Sequence, residues 1–151
     1  MSLSQLLDII REIVSRLSGS FETEKPLDML LLEMFRKDER LKSLRIESHY
    51  SVKSLFRNAQ RVDYAFFDKN TLSTILFAEL KFVDNIGEDD TNHGLIQTMM
   101  ASFANNTPCL GIVVYEDERS YKELVAEKEI RFLERIQKEF NVYFVFKHIT
   151  N

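Results

Sequence analysis

The stretch Arg61–Phe82, RVDYAFFDKNTLSTILFAELKF, decides the fold. It reads as two apolar strands around a polar turn at Lys69-Asn70-Thr71, an antiparallel hairpin. Three charges, Asp63, Glu79 and Lys81, interrupt the apolar runs. Isolated charge in such surroundings costs on the order of several kcal/mol unless it is paired or bound to a metal. Side chains alternate faces at roughly 3.3 Å per residue, so Glu79 and Lys81 share a face about 6.6 Å apart along the backbone, with Ile75 and Phe77. Leu76, Ala78, Leu80 and Phe82 line the other face, and a strand apolar on both sides is one covered on both sides. Asp63 occupies the like position in the preceding strand, sharing a face with Ala65 and Phe67 while Val62, Tyr64 and Phe66 point away. Hairpin pairing then brings Asp63 near Glu79 at the open ends of both strands.

Outward from the hairpin, helical and strand periodicities alternate. Ser2 to Leu17 places Leu3, Leu6, Leu7, Ile10, Ile13, Val14 and Leu17 on one helical stripe. Ser-Gly-Ser at 18 to 20 ends that helix, and Pro26 in a first turn opens a second one running to about Arg40. Leu44 to Tyr50 reads as a strand, and Ser51 to Gln60 as a polar, basic connection that is a candidate substrate-facing loop. Arg61 to Asp68 and Leu72 to Val83 are the hairpin strands. After them come a helix over Asp89 to Asn105, a strand over Pro108 to Tyr115, a charged helix over Ser120 to Phe140 and a last strand over Val142 to Ile149. The order ααβββαβαβ implies an α/β fold with a mixed five-stranded sheet and helices on both faces. No internal repeat or long linker divides the chain, so one domain over residues 1–151 is expected, with the N-terminal helix of residues 1–20 packed on its core.

At 151 residues and 44% hydrophobic content, the chain is long enough to bury a core without disulfides. Cys109 is the single cysteine and reads as a small core residue. No basic leader followed by an apolar segment opens the chain, and no run approaches the roughly 20 apolar residues that span a bilayer. The expectation is a cytoplasmic protein that does not enter membranes. A net charge of -4 argues against a protein coated in positive potential. The charge is nevertheless unevenly spread: from Arg36 to Arg61 eight bases face three acids, and from Glu79 to Asp90 five acids face Lys81 alone. A basic segment beside an acidic one suits a polyanionic substrate handled with a divalent cation, although charge runs also occur simply as solvated faces. With Gly at only 4 positions and no Cys/His pairing, phosphate-loop and zinc-enzyme readings have no support.

Two carboxylates and an ammonium converging at strand ends are satisfied by a hard divalent cation. Mg2+ or Mn2+ takes oxygen ligands at about 2.1 Å and keeps several waters, so Asp63, Glu79 and a strand carbonyl, that of Leu80, make a sufficient protein share. Lys81 would then orient or help deprotonate a bound water and stabilise developing charge. The competing structural reading is an ion pair at a frayed strand end, with Lys81 reaching water.

Asp63, then Glu79-Leu80-Lys81 on the next strand, then a helix carrying Gln97 and an apolar strand, resembles the PD-(D/E)XK nuclease-like superfamily over roughly Pro26 to Tyr115. Val62 stands where that motif has proline. The resemblance implies a restriction-endonuclease-like core, metal binding by Asp63 and Glu79, catalysis assisted by Lys81, and nucleic acid, chiefly DNA, as substrate. A glutamine on the following helix often lies near such sites, which points to Gln97. A glutamate on the helix before the first strand is matched in position by Glu33, although its wheel angle, about 130° from the apolar stripe, fits a solvent flank. Glu47 reads equally as a ligand or a surface residue. His93, four residues before Gln97, shares its helix edge. Lys53, Arg57 and Arg61, on or beside the connecting loop, are candidate phosphate contacts. The function expected is a metal-dependent nuclease, and the alternative is an inactive nuclease-like scaffold that binds nucleic acid or a protein partner. Cutting both strands of a duplex takes two sites, which would suit a homodimer.

Overall fold

Ser2 starts the first helix by closing a reciprocal cap. Its hydroxyl accepts from the Gln5 amide at 3.2 Å, and its own amide donates to Gln5 Oε1 at 2.9 Å, satisfying N–H groups that have no partner within a helix. This computed structural model describes residues 1–55, 58–83, 90–116 and 127–149, with side chains described at 1–55, 58–83, 95–116 and 131–149. Helices α1 (Leu3–Ser15) and α2 (Glu24–Lys37) are followed by strands β1 (Leu44–Val52), β2 (Gln60–Asp68) and β3 (Thr74–Val83). Helix α3 (Asp90–Asn105), strand β4 (Cys109–Tyr115), helix α4 (Glu127–Phe140) and strand β5 (Val142–His148) complete the expected order. The second helix stops at Lys37, short of the predicted Arg40. There the Asp38 carboxylate takes the Arg40 amide and opens a 3-10 turn over Glu39–Leu41. The first part of the predicted last helix, 120–126, lies outside the described residues.

The five strands form one mixed sheet in the order β1-β2-β3-β4-β5. β1, β2 and β3 pair antiparallel, and β3, β4 and β5 pair parallel. The change of sense follows the connections, since a tight turn can only reverse the chain and a crossover helix can return it in parallel. In the β2–β3 turn the Asp68 carboxylate accepts from the amides of Asn70 and Thr71, and Leu72 closes the loop at φ 59°.

One face of the sheet is covered by α1 and α2, whose Leu6, Ile10, Ile13, Leu27, Leu31 and Phe35 meet Tyr64, Phe66, Leu76, Leu80, Ile112 and Val114. Phe35 stands edge-on to both Tyr64 and Phe66, with ring centroids 5.4 and 5.5 Å away. On the opposite face Val62, Ala65, Phe67 and Phe77 pack with Ala101 of α3. Phe140 of α4 lies 6.0 Å from Phe103 of α3, so both of these helices occupy that second face. Among the described residues no helix is long and apolar enough to cross a membrane.

Simple alternation fails at two places in the hairpin, and both correct the sequence reading. Val62 packs with Ala65 and Phe67, not with Tyr64 and Phe66, so β2 changes faces at Asp63. Opposite it, β1 does the same: Ile46 faces α1 and α2 while Tyr50 packs on Phe67, the change falling at His49, whose φ is 50°. Ile75 joins the α1 and α2 side instead of sharing the Phe77 face, because the register slips between Phe66 and Phe67 and leaves Ile75 as the extra residue of a bulge.

Candidate functional site

The face change at Asp63 coincides with a fork in the sheet. β2 and β3 pair from Phe67↔Thr74 to Tyr64↔Ala78 and no further. Beyond that point β2 continues beside β1 through Val62, Arg61 and Gln60, while β3 continues beside β4 to Val83. Amides of β3 that β2 would otherwise have taken still need acceptors, because an unpaired buried N–H is costly. Two carboxylates supply them. The Leu80 amide donates to Asp63 Oδ2 at 2.8 Å, and the Phe82 amide donates to Glu24 Oε2 at 2.9 Å. In a strand the N–H and C=O of one residue point to the same side, so the Leu80 carbonyl is directed toward the fork beside Asp63.

Glu79 and Lys81 leave β3 on the α3 face. Lys81 Nζ lies 3.1 Å from Glu79 Oε1, and the Thr98 hydroxyl of α3 donates to Glu79 Oε2 at 2.8 Å. Thr98 is fully buried and Glu79 nearly so, at 0% and 6% exposure, so these bonds form in a dry setting where they count for more than at the surface. Burial, and secondarily the charge of Asp63, push the Glu79 carboxyl up to about 7. Burial also raises Asp63, against the opposing Leu80 hydrogen bond and Lys81 charge, and the charges of Glu24 and Asp28 raise it further. Burial alone would lower the Lys81 ammonium, but Glu79, Glu24 and Asp63 outweigh it and hold it protonated.

Helix α2 contributes the remaining wall. Asp28, one turn after Glu24, accepts from the Tyr64 hydroxyl through Oδ1 and meets His49 Nε2 at 3.1 Å through Oδ2. His49 Nδ1 lies 4.0 Å from Asp63 Oδ1. Thr23, Glu24, Lys25, Asp28, Met29, His49 and Asp63 line a cavity of about 530 Å³ open to the surface. Asp63, Glu79, Glu24 and Asp28 thus set four carboxyl groups around the fork, with Lys81, Lys25 and His49 as the basic groups beside them.

The structure places the candidate residues unevenly. Asp63, Glu79, Lys81 and the Leu80 backbone gather at the fork. Gln97 lies one residue before Thr98, and Gln60 Nε2 donates to its Oε1 at 3.4 Å, a bond that spans from β2 to α3 across the fork. Glu33 does not reach the site: it pairs with Lys37 on the exposed side of α2, where the Lys37 hydrogen bond lowers its pKa. Its solvent-facing wheel angle is the reason, and Glu24 and Asp28 are the α2 acids that face the fork instead. Glu47 is half-exposed and lies 3.3 Å from Arg45. Lys53 and Arg61 are exposed on the β1–β2 arm, and the Lys53 carbonyl accepts from Asn105 at the end of α3. Arg57 and the side chain of His93 lie outside the described residues. The basic run does not act as one arm, because Lys37, Arg40, Lys42 and Arg45 pair with Glu33, Asp38, Glu39 and Glu47. Cys109 is buried, and burial pushes its thiol up to about 12, so it is no nucleophile.

Sequence reasoning missed Glu24, Asp28, His49 and Thr98. The spacing of Glu24 and Asp28 on one edge of α2 was a usable signal; the partnership of His49 with Asp63 depends on strand register. Among the described residues no group of three or more His, Cys, Asp or Glu side chains converges closely enough to hold a metal. The donor set near Asp63 therefore amounts to pairs of side chains and a backbone carbonyl. That set is all oxygen apart from His49, which fits a hard divalent cation that keeps part of its water shell. No family model, curated protein or solved structure matches this chain.

Proposed function

We propose that the chain is a phosphodiester hydrolase with a restriction-endonuclease-like core, acting on DNA with Mg2+ or Mn2+ held by Asp63, Glu79 and the Leu80 carbonyl. The observation that carries this reading is the fork itself, where a hairpin aspartate and an ExK strand bring two carboxylates of raised pKa and a lysine to one gap. A bound divalent cation would supply a water of lowered pKa and charge neutralisation at the phosphate. Asp63 and Glu79 are the carboxylates that would hold it. Lys81, kept protonated by its three acidic neighbours, would hold a phosphate oxygen and donate to charge that builds up there. Thr98 fixes the second oxygen of Glu79 and so orients the carboxylate. Lys53 and Arg61, exposed on the neighbouring arm, would contact phosphates along the backbone without reading sequence.

A second reading, an inactive scaffold of the same fold that binds nucleic acid or protein, is favoured by the Asp63 carboxylate being occupied by the Leu80 amide. Incubation with supercoiled, linear and branched DNA in Mg2+, Mn2+ or EDTA separates the two. The enzyme reading expects metal-dependent cutting that falls by at least about a hundredfold in both Asp63→Asn and Lys81→Met, the scale of losing a charge-stabilising group. Equal background cutting in all preparations defeats it and leaves the scaffold.

A further inference from the structure

Helix α4 carries an apolar stripe that the rest of the chain leaves open. Over residues 131–140 no side chain is buried: Leu133 and Ile136 are half-buried, and Phe132 and Phe140 are 62% and 54% exposed. Phe132, Ile136 and Phe140 stand four residues apart and so form one ridge along the helix. Phe103 of α3, also exposed, extends that ridge, its ring 6.0 Å from the ring of Phe140. Among the described residues these are all of the exposed phenylalanines, and they make one surface. A helix of 14 residues draws most of its stability from packing its apolar face, and here the packing is incomplete.

The ridge is complementary to itself. Rows of side chains at four-residue spacing interlock when two helices cross. A two-fold axis at Ile136, with α4 antiparallel to its copy, sets Ile136 against the partner's Ile136 and Phe132 against the partner's Phe140. The same register sets Glu134 against the partner's Lys138, twice over by symmetry, and brings no two like charges opposite one another between residues 131 and 141. An axis one residue earlier would stack Arg135 on the partner's Arg135 and oppose Phe132 to a lysine. Three bases and two acids interleave over residues 131–140, so the surface offers no concentrated charge to a polyanion. Helix α4 lies on β5, the last strand of the sheet, where a second molecule can approach from the side. The open parts of the three rings come to about 300 Å² per copy, set against roughly 800 Å² per partner in a stable interface. Leu133, Ile136 and the stems of Arg135 and Lys138 add to it, which places the pair at the small, micromolar end of specific interfaces.

We infer that the α4 ridge of Phe132, Ile136 and Phe140 is a homodimer interface, in which two copies of this chain pair their α4 helices antiparallel about an axis at Ile136. The inference rests neither on the proposed metal centre nor on nuclease activity.

Sedimentation equilibrium of the intact chain from about 1 to about 200 µM tests it, with a Kd of micromolar order expected. Phe132→Glu should weaken the dimer at least about tenfold, as loss of a central aromatic contact does, while the exposure of Phe132 leaves the monomer's urea midpoint unchanged. Glu134→Lys should weaken it as well, and adding Lys138→Glu to that variant should restore it. Ile136→Cys reads the axis directly: helices 8–10 Å apart bring two such positions within disulfide reach, and Cys109 is buried and does not compete. Mild oxidation should link that variant into covalent dimers far faster than Ser4→Cys, an exposed position on α1. One-chain mass throughout the concentration range overturns the inference. So does a dimer that Phe132→Glu leaves intact, or linking through Ser4→Cys as fast as through Ile136→Cys, since either places the contact elsewhere.

Discussion

Glu79→Gln should make the metal-free protein more stable at alkaline pH while removing its proposed chemistry. The Glu79 carboxyl has an ordinary pKa of 4.5 and is pushed up to about 7 in the folded chain, mainly by burial. The folded state therefore holds the proton more tightly than the unfolded state does. The resulting stabilisation is complete below pH 4.5 and is lost as pH rises through 7. The gap between the two values corresponds to about 3 kcal/mol at full deprotonation, most of which falls between pH 5 and pH 8. The side chain is 8% exposed, so solvent screening takes little from this figure. Loss of the Lys81 partner works the other way and sets the figure as an upper limit, although Lys81 keeps the charges of Glu24 and Asp63. Urea unfolding in EDTA at pH 5 and pH 8, for the unaltered protein and the variant, reads the effect as a difference of differences, because groups that do not interact with Glu79 cancel and the Asp63 and Lys81 charges that do are counted with it. The variant should gain about 1–2 kcal/mol at pH 8 relative to pH 5. A relative gain well below about 1 kcal/mol, or a loss, would refute the claim that burial outweighs the Lys81 and Thr98 contacts at Glu79.

Gly111 pairs with Glu79 in the sheet, and a Cβ there would stand 2.9 Å from both Leu95 Cδ2 and Phe144 Cδ1, so Gly111→Ala should cost about 1–3 kcal/mol. Both obstacles are side-chain ends, which places the expected value in the lower half of that range, and thermal unfolding that shows no loss would mean α3 adjusts freely. Leu72 is 63% exposed at φ 59° in the β2–β3 turn, and Leu72→Gly should stabilise by about 0.5–1 kcal/mol as the left-handed strain is relieved. An unfolding midpoint that falls instead would show that the leucine side chain contributes packing the turn depends on.

Periodicity alone located every element that positions the fork, because amphipathic helices and apolar strands are properties of neighbouring residues. The hairpin with its polar turn fixed the antiparallel half of the sheet, and the helices after β3 and β4 fixed the parallel half. Asp63, Glu79 and Lys81 were conspicuous for the same local reason, as charges inside apolar runs. What periodicity could not reveal is where alternation breaks. Alternation puts Val62 and Ile75 on the wrong faces, since a bulge and a left-handed residue arise from pairing between strands.

The α2 acids show the same division. Chain position points to Glu33, yet it pairs with Lys37 at the surface, and Glu24 and Asp28 face the fork because the docking of α2 on Tyr64 and Phe66 turns that edge inward. Sequence by itself determined the element order, the apolar faces and the three anomalous charges, all of which depend on spacing within a few residues. Tertiary structure decided that β2 and β3 part at Asp63, that carboxylates fill the gap, and that His49 stands across from one of them. Those facts depend on hydrogen bonds and burial between segments 14 to 58 residues apart, which no local pattern encodes.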